Sequence, residues 1–297
     1  NHDDHPFTEK ELLDALKKFD AICPSVTDKL NGTILRSRNG VHRTKILANY
    51  GAGHDHIDLS AAEDTGISVT NTPDVLTAST AEITIALILA AARRISEGET
   101  LIRAGLWSGW NPTQLLSTGV TGKTLGLIGM GRIGQRVAEI AGHGLQMGIQ
   151  YFSRSKVSAK RLNGLKVSKV SLNRLLSTSD FVSIHCEANE DTFGLIGERE
   201  LNLMQSHSFL INTARGTIIS EKALAEAVRN KTIAGAGLDV YENEPAVNPA
   251  LQKESNITLL PHMGSGTIET REAMGYKVFE NLDAFFGGFT PPDLVTP

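Results

Sequence analysis

The fold is decided by the segment Thr124-Leu125-Gly126-Leu127-Ile128-Gly129-Met130-Gly131-Arg132-Ile133-Gly134. Its apolar start predicts a buried strand, and the residues that follow it, 135–141, predict a helix. Gly129 permits the tight turn between the two elements, Gly131 lets a pyrophosphate approach the backbone, and Gly134 lets helix and strand pack closely. The phosphates would meet the positive end of the helix, where backbone N–H groups are unpaired. The pattern predicts dinucleotide binding; the alternative is a tight turn without a ligand.

The end of the next predicted strand, residues 149–152, indicates which dinucleotide is bound. The strand is followed by Ser153-Arg154-Ser155-Lys156. An NAD site usually places Asp or Glu here, about 20 residues beyond the glycines, to hold the ribose 2′-hydroxyl. Ser153 carries no charge that would repel a 2′-phosphate, and Arg154 can pair with one. The sequence therefore favours NADP(H), with NAD(H) as the second possibility. The alternative is that Arg154 and Lys156 are solvated surface charges.

Composition excludes several classes of protein. The chain has 297 residues and a net charge of −4, and its pI near 6.2 argues against a nucleic-acid partner. Its most apolar stretch, 83–92, is shorter than the roughly 20 residues of a membrane helix. Cys23 and Cys186 lack metal spacing, and we expect both to be buried in a reducing compartment. We expect a soluble, cytoplasmic protein without a signal peptide or a membrane partner.

Strand-like and helix-like segments alternate along the chain, which predicts an α/β protein with parallel sheets. We predict strands at 21–23, 33–35, 46–48, 68–70, 125–128, 149–152, 181–185, 209–212, 235–239 and 258–260. We predict helices at 8–19, 59–64, 77–94, 220–230 and 268–286, the first with Thr8 as N-cap and Glu11 three residues later. Residues 100–120 should be irregular, and order should end at Pro291 and Pro292.

Three charged or titratable motifs follow predicted strand ends, where an open α/β sheet has its ligand crevice. The first carries Arg215, the second offers several carboxylates within 237–245, and the third carries His262. A reductase needs a cation to hold the substrate, a proton donor near neutral pH and a group that orients the donor. Arg215, His262 and one carboxylate could fill these roles, although spacing does not select the carboxylate. The alternative for Arg215 is a surface ion pair.

Several further segments of the chain form a specific set together with the glycine motif. They are Asn49-Tyr50-Gly51-Ala52-Gly53-His54-Asp55-His56-Ile57-Asp58, Asn71-Thr72-Pro73, Asn212-Thr213-Ala214-Arg215-Gly216, Gly237-Leu238-Asp239-Val240-Tyr241-Glu242-Asn243-Glu244-Pro245 and Pro261-His262-Met263-Gly264-Ser265. In this set the chain resembles the D-isomer-specific 2-hydroxyacid dehydrogenases over nearly its whole length. Within that family it is most similar to the glyoxylate/hydroxypyruvate reductases, because of Ser153-Arg154-Ser155 and Trp107-Ser108-Gly109-Trp110.

The resemblance implies a Rossmann-type dinucleotide domain and a smaller, flavodoxin-like α/β substrate domain. The substrate domain is expected to be discontinuous, at 1–76 and 267–297, and the dinucleotide domain to span 77–266. A homodimer is implied, with a dimerisation arm near 95–120. The activity implied is NADPH-dependent reduction of a small 2-oxo acid, glyoxylate or hydroxypyruvate, to the D-2-hydroxy acid.

The resemblance also assigns residues. It implies His262 as acid/base, Glu244 as its partner and Arg215 as the substrate clamp. The expected substrate-binding residues are Ala52, Gly53, Trp110, Arg215 and Ser265, with Trp110 contributed by a neighbouring subunit. The expected cofactor-binding residues are Thr80, Gly129, Gly131, Arg132, Ile133, Gly134, Ser153, Arg154, Ser155, Cys186, Thr213, Asp239, His262 and Gly264. No metal is expected, either at His54 and His56 or in the N-terminal run His2-Asp3-Asp4-His5.

Other functions within this fold stay open. Formate dehydrogenases carry Gln at the position of Glu244, phosphoglycerate dehydrogenases often have an extra regulatory domain, and D-lactate-type enzymes share the motifs. A cofactor-sensing corepressor would bind dinucleotide with little turnover. The chain departs from the family pattern at Glu187, which replaces a proline near the cofactor, at Gln205-Ser206-His207 and at Ser220.

Overall fold

The computed structural model describes residues 5–37, 42–156, 162 and 164–297. The chain divides into two compact units. The first unit comprises Asn1–Leu76 and Gly266–Pro297, and the second comprises Thr77–Ser265. The sequence predicts the first boundary at the same place, between Leu76 and Thr77. It predicts the second boundary after Gly266, which is one residue later than in the structure. The assignment of the first unit to substrate binding and of the arm to dimerisation stays a prediction.

The elements follow one another in an α/β order. The strands are β1 (Ala21–Ile22), β2 (Ile46–Ala48), β3 (Ser68–Thr70), β4 (Thr124–Ile128), β5 (Gly148–Phe152), β6 (Val167–Lys169), β7 (Phe181–Ile184), β8 (Phe209–Asn212), β9 (Gly235–Leu238), β10 (Ile257–Leu259) and β11 (Leu294–Val295). The α-helices are α1 (Glu9–Lys18), α2 (Gly32–Leu35), α3 (Leu59–Asp64), α4 (Thr77–Arg93), α5 (Ile95–Arg103), α6 (Arg132–Glu139), α7 (Leu172–Thr178), α8 (Glu198–Leu203), α9 (Glu221–Arg229), α10 (Pro249–Gln252) and α11 (Ile268–Phe286). Within the described ranges, no helix is long and apolar enough to cross a bilayer.

The second unit is built on a seven-stranded sheet with the order β10-β9-β8-β7-β4-β5-β6. All of its strand pairs are parallel. Every residue of β7, β8 and β9 is buried, as expected for strands covered on both faces. One core contains Leu175 and Leu224 of α7 and α9, and the other contains Ile88 and Val137 of α4 and α6. The strand order changes direction at β4, so the crevice for a ligand lies at the carboxyl end of this strand.

The first unit holds a four-stranded sheet with the order β1-β2-β3-β11. The first three strands are parallel, and β11 runs antiparallel to β3. Its core joins Leu16, Leu35, Leu47, Ala61 and Val69. The prediction for α1 is confirmed in detail: Thr8 accepts from the Glu11 amide, and Glu11 bonds back to the Thr8 N–H at 2.8 Å.

Several predictions about elements are wrong. Residues 33–35, predicted as a strand, belong to α2, because the Asn31 side chain accepts the Ile34 N–H at 3.1 Å and caps a helix. Order does not end at Pro291 and Pro292, since β11 pairs with β3. Asp293, the residue before β11, is held by two hydrogen bonds to α11. Its amide donates to the Asn281 side chain, and its carboxylate accepts from Lys277, both at 3.0 Å.

Three further differences are smaller. The helix predicted at 135–141 spans Arg132–Glu139, directly after Gly131, and a π-helix follows at Ile140–Gly144. The stretch predicted as irregular from 100 is helical through Arg103. Cys23 is exposed and Cys186 is partly buried, against the prediction that both are buried. Cys23 directly follows β1, which is an edge strand of its sheet.

Candidate active site

The three glycines after β4 have different structural requirements. Gly129 has φ +96°, and a Cβ there would lie 2.5 Å from the backbone of His185 and Cys186. A Cβ at Gly134 would lie 2.5 Å from the Gly129 carbonyl oxygen, so glycine permits the close contact of α6 with the turn. Around Gly131, by contrast, no described atom lies within 4 Å of an added Cβ. Gly131 is also the N-cap of α6 and has no side chain to cap the helix. This geometry suits a pyrophosphate at the helix N-terminus.

The loop after β5 lies beside the glycine turn in the sheet order. The Ser153 hydroxyl donates to the Ser155 carbonyl, and Lys169 donates to the Arg154 carbonyl at 3.0 Å. Arg154 itself is exposed. Burial raises the pKa of the Cys186 thiol to about 11, and the charge of Arg154 acts in the opposite direction. Arg154 and Cys186 follow β5 and β7, the strands on either side of β4 in the sheet.

Arg215 lies in a braced loop directly after β8. Asn212 is buried; its side chain donates to the Arg215 carbonyl at 2.8 Å and accepts the Ala214 N–H at 3.0 Å. The Thr213 hydroxyl bonds that of Thr84 in α4 at 2.9 Å, and Arg215 Nη1 donates to the Ala214 carbonyl at 2.8 Å. These bonds fix the direction in which the loop leaves the sheet.

Gly216 joins the Arg215 loop to the loop that follows β9. A Cβ at Gly216 would overlap the Tyr241 carbonyl group and the Glu242 nitrogen. Because these are backbone atoms, no side-chain rotation relieves the overlap. Gly216 therefore sets how closely the loop of Arg215 approaches the loop of Glu244.

Glu244 and His262 form a hydrogen-bonded pair. His262 Nδ1 donates to Glu244 Oε2 at 2.7 Å, and the Tyr241 N–H donates to Glu244 Oε1 at 3.0 Å. Burial opposes ionisation of Glu244. The pKa of Glu244 nevertheless lies below its ordinary 4.5, because three neighbours stabilise the carboxylate. They are His262, through its hydrogen bond and its charge, the Tyr241 amide, and the charge of Arg215. The carboxylate is thus ionised at neutral pH, beside both His262 and Arg215.

Asp239 shapes the segment that carries His262. Its two carboxylate oxygens accept the N–H groups of Met263 and Gly264 at 2.7 and 2.8 Å. The Thr80 hydroxyl donates to the Gly264 carbonyl at 3.2 Å. Burial raises the pKa of Asp239, and its two backbone bonds act against this rise. His262 adopts φ +53° in this segment, a conformation that a non-glycine residue takes only when its surroundings impose it.

In the first unit, the loop with Ala52 and Gly53 has its carbonyl groups bound by side chains. Asn49 donates to the Gly51 and Gly53 carbonyls, both at 2.9 Å, and Asn71 donates to the Ala52 carbonyl at 2.7 Å. His56 bonds the Asn49 side chain at 3.1 Å and so supports this arrangement. Among the described residues, the amides of Ala52 and Gly53 have no protein acceptor.

The second unit brings Arg215, Glu244 and His262 together at one edge of its sheet. The elements of this unit also carry the candidate cofactor-binding residues, while Ala52 and Gly53 belong to the first unit. Trp110, in the expected arm, is 81% exposed. His2, Asp3 and Asp4 lie outside the described residues, and elsewhere in the described chain no three His, Cys, Asp or Glu side chains are grouped to hold a metal.

Sequence reasoning missed several supporting residues. Tyr241 is one, since its hydroxyl donates to the Leu260 carbonyl at 2.8 Å, two residues before His262. His185 is another: its ring bonds the Ser183 hydroxyl at 2.8 Å, and burial lowers its pKa to about 3. The position of His185 directly after an apolar strand is the signal that could have singled it out. Nothing in the local sequence pattern indicates the Tyr241 bond, because Tyr241 and Leu260 follow different strands.

The fold and this group of residues define a dinucleotide-dependent oxidoreductase. Comparison with known proteins identifies its family. The model of the D-isomer specific 2-hydroxyacid dehydrogenase, NAD binding domain, matches residues 85–264. A glyoxylate reductase from Thermococcus litoralis is 45% identical over 289 residues, which cover 96% of this chain and 86% of that protein. The chain belongs to the D-isomer-specific 2-hydroxyacid dehydrogenase family, and its cofactor is a nicotinamide dinucleotide.

Two solved structures share the fold along nearly the whole chain. A glyoxylate reductase from Paecilomyes thermophila superposes with a TM-score of 0.86 at 35% identity, covering 98% of this chain and 88% of that one. An NADPH-dependent glyoxylate/hydroxypyruvate reductase from Sinorhizobium meliloti, in complex with NADP and malonate, gives a TM-score of 0.85 at 34% identity, with 94% and 85% coverage. They confirm a Rossmann-type domain with a second α/β domain.

Proposed function

We propose that the protein reduces glyoxylate or hydroxypyruvate to the D-2-hydroxy acid with NADPH. The observation that carries the proposal is the 2.7 Å bond between His262 Nδ1 and Glu244 Oε2. Reduction of a carbonyl needs a proton donor, whereas hydride release from formate needs none. A carboxylate at position 244 accepts from Nδ1 and leaves Nε2 of the imidazole to donate a proton, so it favours a 2-oxo acid reductase over a formate dehydrogenase. The names of the relatives support the substrate class.

His262, Glu244 and Arg215 have different roles in the proposed reaction. When bound, the reduced nicotinamide supplies hydride to the carbonyl carbon. His262 donates a proton from Nε2 to the carbonyl oxygen, because Nδ1 is engaged by Glu244. Glu244 accepts the Nδ1–H of His262 and so fixes the tautomer and the orientation of the ring. Arg215 binds the substrate carboxylate and polarises the carbonyl, which suits a planar guanidinium with several donors.

The substrate carboxylate is also bound, in this proposal, by the backbone amides of Ala52 and Gly53. The carbonyl groups of this loop are already bound to Asn49 and Asn71. The amides of Ala52 and Gly53 are therefore left for an anion, and oriented amides of this kind bind carboxylates well. Ser265 and the partner's Trp110 are proposed to complete the substrate-binding residues.

The cofactor is proposed to be NADP(H), with NAD(H) as a weaker alternative. Gly129, Gly131 and Gly134 provide the turn and the open helix N-terminus for the pyrophosphate. Ser153 and exposed Arg154 would face the 2′-phosphate at the end of β5. The other proposed cofactor-binding residues are Thr80, Arg132, Ile133, Ser155, Cys186, Thr213, Asp239, His262 and Gly264.

We also propose a homodimer built on α5 and the segment that follows it. This stretch exposes large apolar side chains, which a monomer would leave in water. They are Ile95, Ile102, Leu106, Trp107, Trp110 and Leu116, between 52% and 81% exposed. A second copy of the chain is the occupant that the family resemblance suggests.

Steady-state assays of a panel of 2-oxo acids with NADPH and with NADH test the proposed function. We expect the highest kcat/KM with glyoxylate or hydroxypyruvate and NADPH. His262→Gln should lower kcat by roughly 10² to 10⁴, the usual range for general acid catalysis. Dinucleotide binding without turnover of any 2-oxo acid would indicate a sensor, and a near-native kcat in His262→Gln would exclude His262 as the proton donor.

A further inference from the structure

Two glutamates far apart in the chain exchange hydrogen bonds beside the candidate active site. The Glu221 N–H donates to Glu242 Oε1 at 2.8 Å, and the Glu242 N–H donates to Glu221 Oε1 at 2.8 Å. Glu221 is the first residue of α9 and is only 5% exposed, while Glu242 is exposed. The pair therefore ties the start of α9 to the loop after β9 at two points.

That loop carries Glu244. Glu242 lies between Tyr241, whose amide donates to Glu244 Oε1, and Glu244 itself, which accepts from His262. The opposite side of the loop rests on Gly216. The backbone at 241–242 is thus held between Gly216 and Glu221, and its position determines where the Glu244 carboxylate meets the imidazole.

We propose that Glu221 is a positioning residue for the Glu244–His262 pair, acting through the backbone amide of Glu242. The inference rests on the proposed function, in which that pair delivers the proton. Glu221 does not touch the reacting atoms in this account. Its contribution is an acceptor oxygen at a fixed distance from α9, which keeps the loop from moving away from His262.

The electrostatic surroundings show which property of Glu221 matters. Burial raises the pKa of Glu221, and the charges of Glu242 and Glu244 raise it further, while the Glu242 amide and the Asn248 side chain act in the opposite direction. A charge on Glu221 is therefore costly next to two other carboxylates. The feature that the loop needs is the acceptor oxygen, which an amide side chain also provides.

Three substitutions separate position from charge. Glu221→Ala removes the acceptor of the Glu242 N–H. Glu221→Asp keeps the charge but shortens the side chain by one methylene, which moves the acceptor away from that N–H. Glu221→Gln keeps an acceptor oxygen and removes the charge. Glu226→Ala is the matched control, because Glu226 is an exposed glutamate on the same helix.

Backbone hydrogen exchange measured by NMR on the protein without substrate tests the proposal independently of turnover. In Glu221→Ala and Glu221→Asp, the Tyr241 amide should exchange at least about tenfold faster, because displacement of Glu244 removes its acceptor. Glu221→Gln and Glu226→Ala should keep the native rate. An unchanged Tyr241 rate in both Glu221→Ala and Glu221→Asp overturns the proposal. If Glu221→Ala fails to fold, the exchange rate of the Tyr241 amide in Glu221→Asp decides whether the proposal holds.

Kinetics give the second readout. Glu221→Ala should lower kcat about ten- to a hundredfold, the scale expected for misplacing a catalytic group, with the KM for NADPH unchanged. In the Glu244→Gln background the same substitution should change kcat by less than about twofold, because the group that it positions is already lost. If Glu221→Ala lowers kcat by the same factor in the native protein and in the Glu244→Gln variant, the proposal is contradicted. Absence of turnover in the native enzyme removes the proposed function but leaves the exchange test standing.

Discussion

At the scale of single residues, the proposed proton donor His262 donates from Nδ1 to Glu244 at 2.7 Å. The pKa of Glu244 is below its ordinary 4.5, so the carboxylate stays ionised when the pH falls to the range where many carboxylates protonate. In the proposed mechanism this ionised carboxylate accepts from Nδ1 of His262 and leaves Nε2 to donate the proton.

Glu244→Gln should lower kcat for the preferred 2-oxo acid by at least about tenfold, because a neutral amide replaces the charged acceptor of His262 Nδ1. The pKa of Glu244 lies below 4.5, so the native carboxylate is ionised at neutral pH and the loss should be present there. The measurement is kcat at several pH values above 4.5. A kcat equal to that of the native enzyme would refute the role of Glu244.

Cofactor choice is a second prediction at the residue scale. Arg154→Ala should raise the KM for NADPH by one to two decades and barely change that for NADH, since a charge-assisted contact is worth roughly 1.5 to 3 kcal/mol. Ser153→Asp should reverse the preference, because it repels the 2′-phosphate and accepts from a free hydroxyl. Steady-state kinetics with both cofactors decide the matter. If the native enzyme prefers NADH, or Arg154→Ala weakens both cofactors equally, NADP(H) is the wrong cofactor.

At the scale of elements, the site depends on how three loops meet after β8, β9 and β10. The first carries Arg215, the second Glu244 and the third His262. Tyr241 connects the second loop to the end of β10 through the Leu260 carbonyl, and Gly216 connects the first to the second. The parallel sheet places the three strand ends at one edge, and these contacts set the final distances.

Gly216→Ala should therefore damage both stability and activity. The added Cβ overlaps the backbone of Tyr241 and Glu242, so the two loops must separate, at a cost of about 1 to 3 kcal/mol. kcat/KM should fall because Arg215 and Glu244 move apart. Denaturant unfolding and steady-state kinetics measure the two effects.

Gly144→Ala provides the control for Gly216→Ala. Among the described residues, nothing lies within 4 Å of a Cβ at Gly144. The same change of side chain should leave activity unaltered and shift the free energy of unfolding by no more than about 1 kcal/mol. A Gly216→Ala variant as stable and active as Gly144→Ala would contradict the proposed coupling of the loops.

At the scale of the whole molecule, the exposed apolar segment after α4 predicts the oligomeric state. We expect sedimentation at the mass of a dimer. Substituting Ile102 and Leu106 together by Asp should yield monomers, because two charges would be buried without partners in the interface. The monomer should bind NADPH normally and show a raised KM for the 2-oxo acid, because the proposed substrate site includes the partner's Trp110.

Phe193→Asp is the control for the dimer prediction, because Phe193 is 75% exposed and lies outside the arm. It should leave the sedimenting mass unchanged. A native protein that sediments as a monomer, or an Ile102/Leu106 variant that stays dimeric, would exclude this surface as the interface.

Much of the fold was predictable because it depends on local patterns. Apolar runs bounded by turn residues predicted the strands of the seven-stranded sheet except β6, and the spacing of Gly129, Gly131 and Gly134 predicted the turn into α6. The strand ends also singled out Arg215 and His262 as site candidates, because ligand groups in such sheets follow the strands, and their roles stay predictions. These features can be recognised from residues that are close together in the sequence.

Tertiary structure decided the rest. Spacing left Asp239, Glu242 and Glu244 as candidate partners for His262. In the folded chain Asp239 binds the backbone at 263–264, Glu242 binds the start of α9, and Glu244 binds His262. The same holds for β11, which exists because β3 offers a free edge, and for Glu221, whose partner is 21 residues away. Each of these outcomes depends on which donors and acceptors the fold brings within about 3 Å of one another, a distance that sequence spacing does not contain.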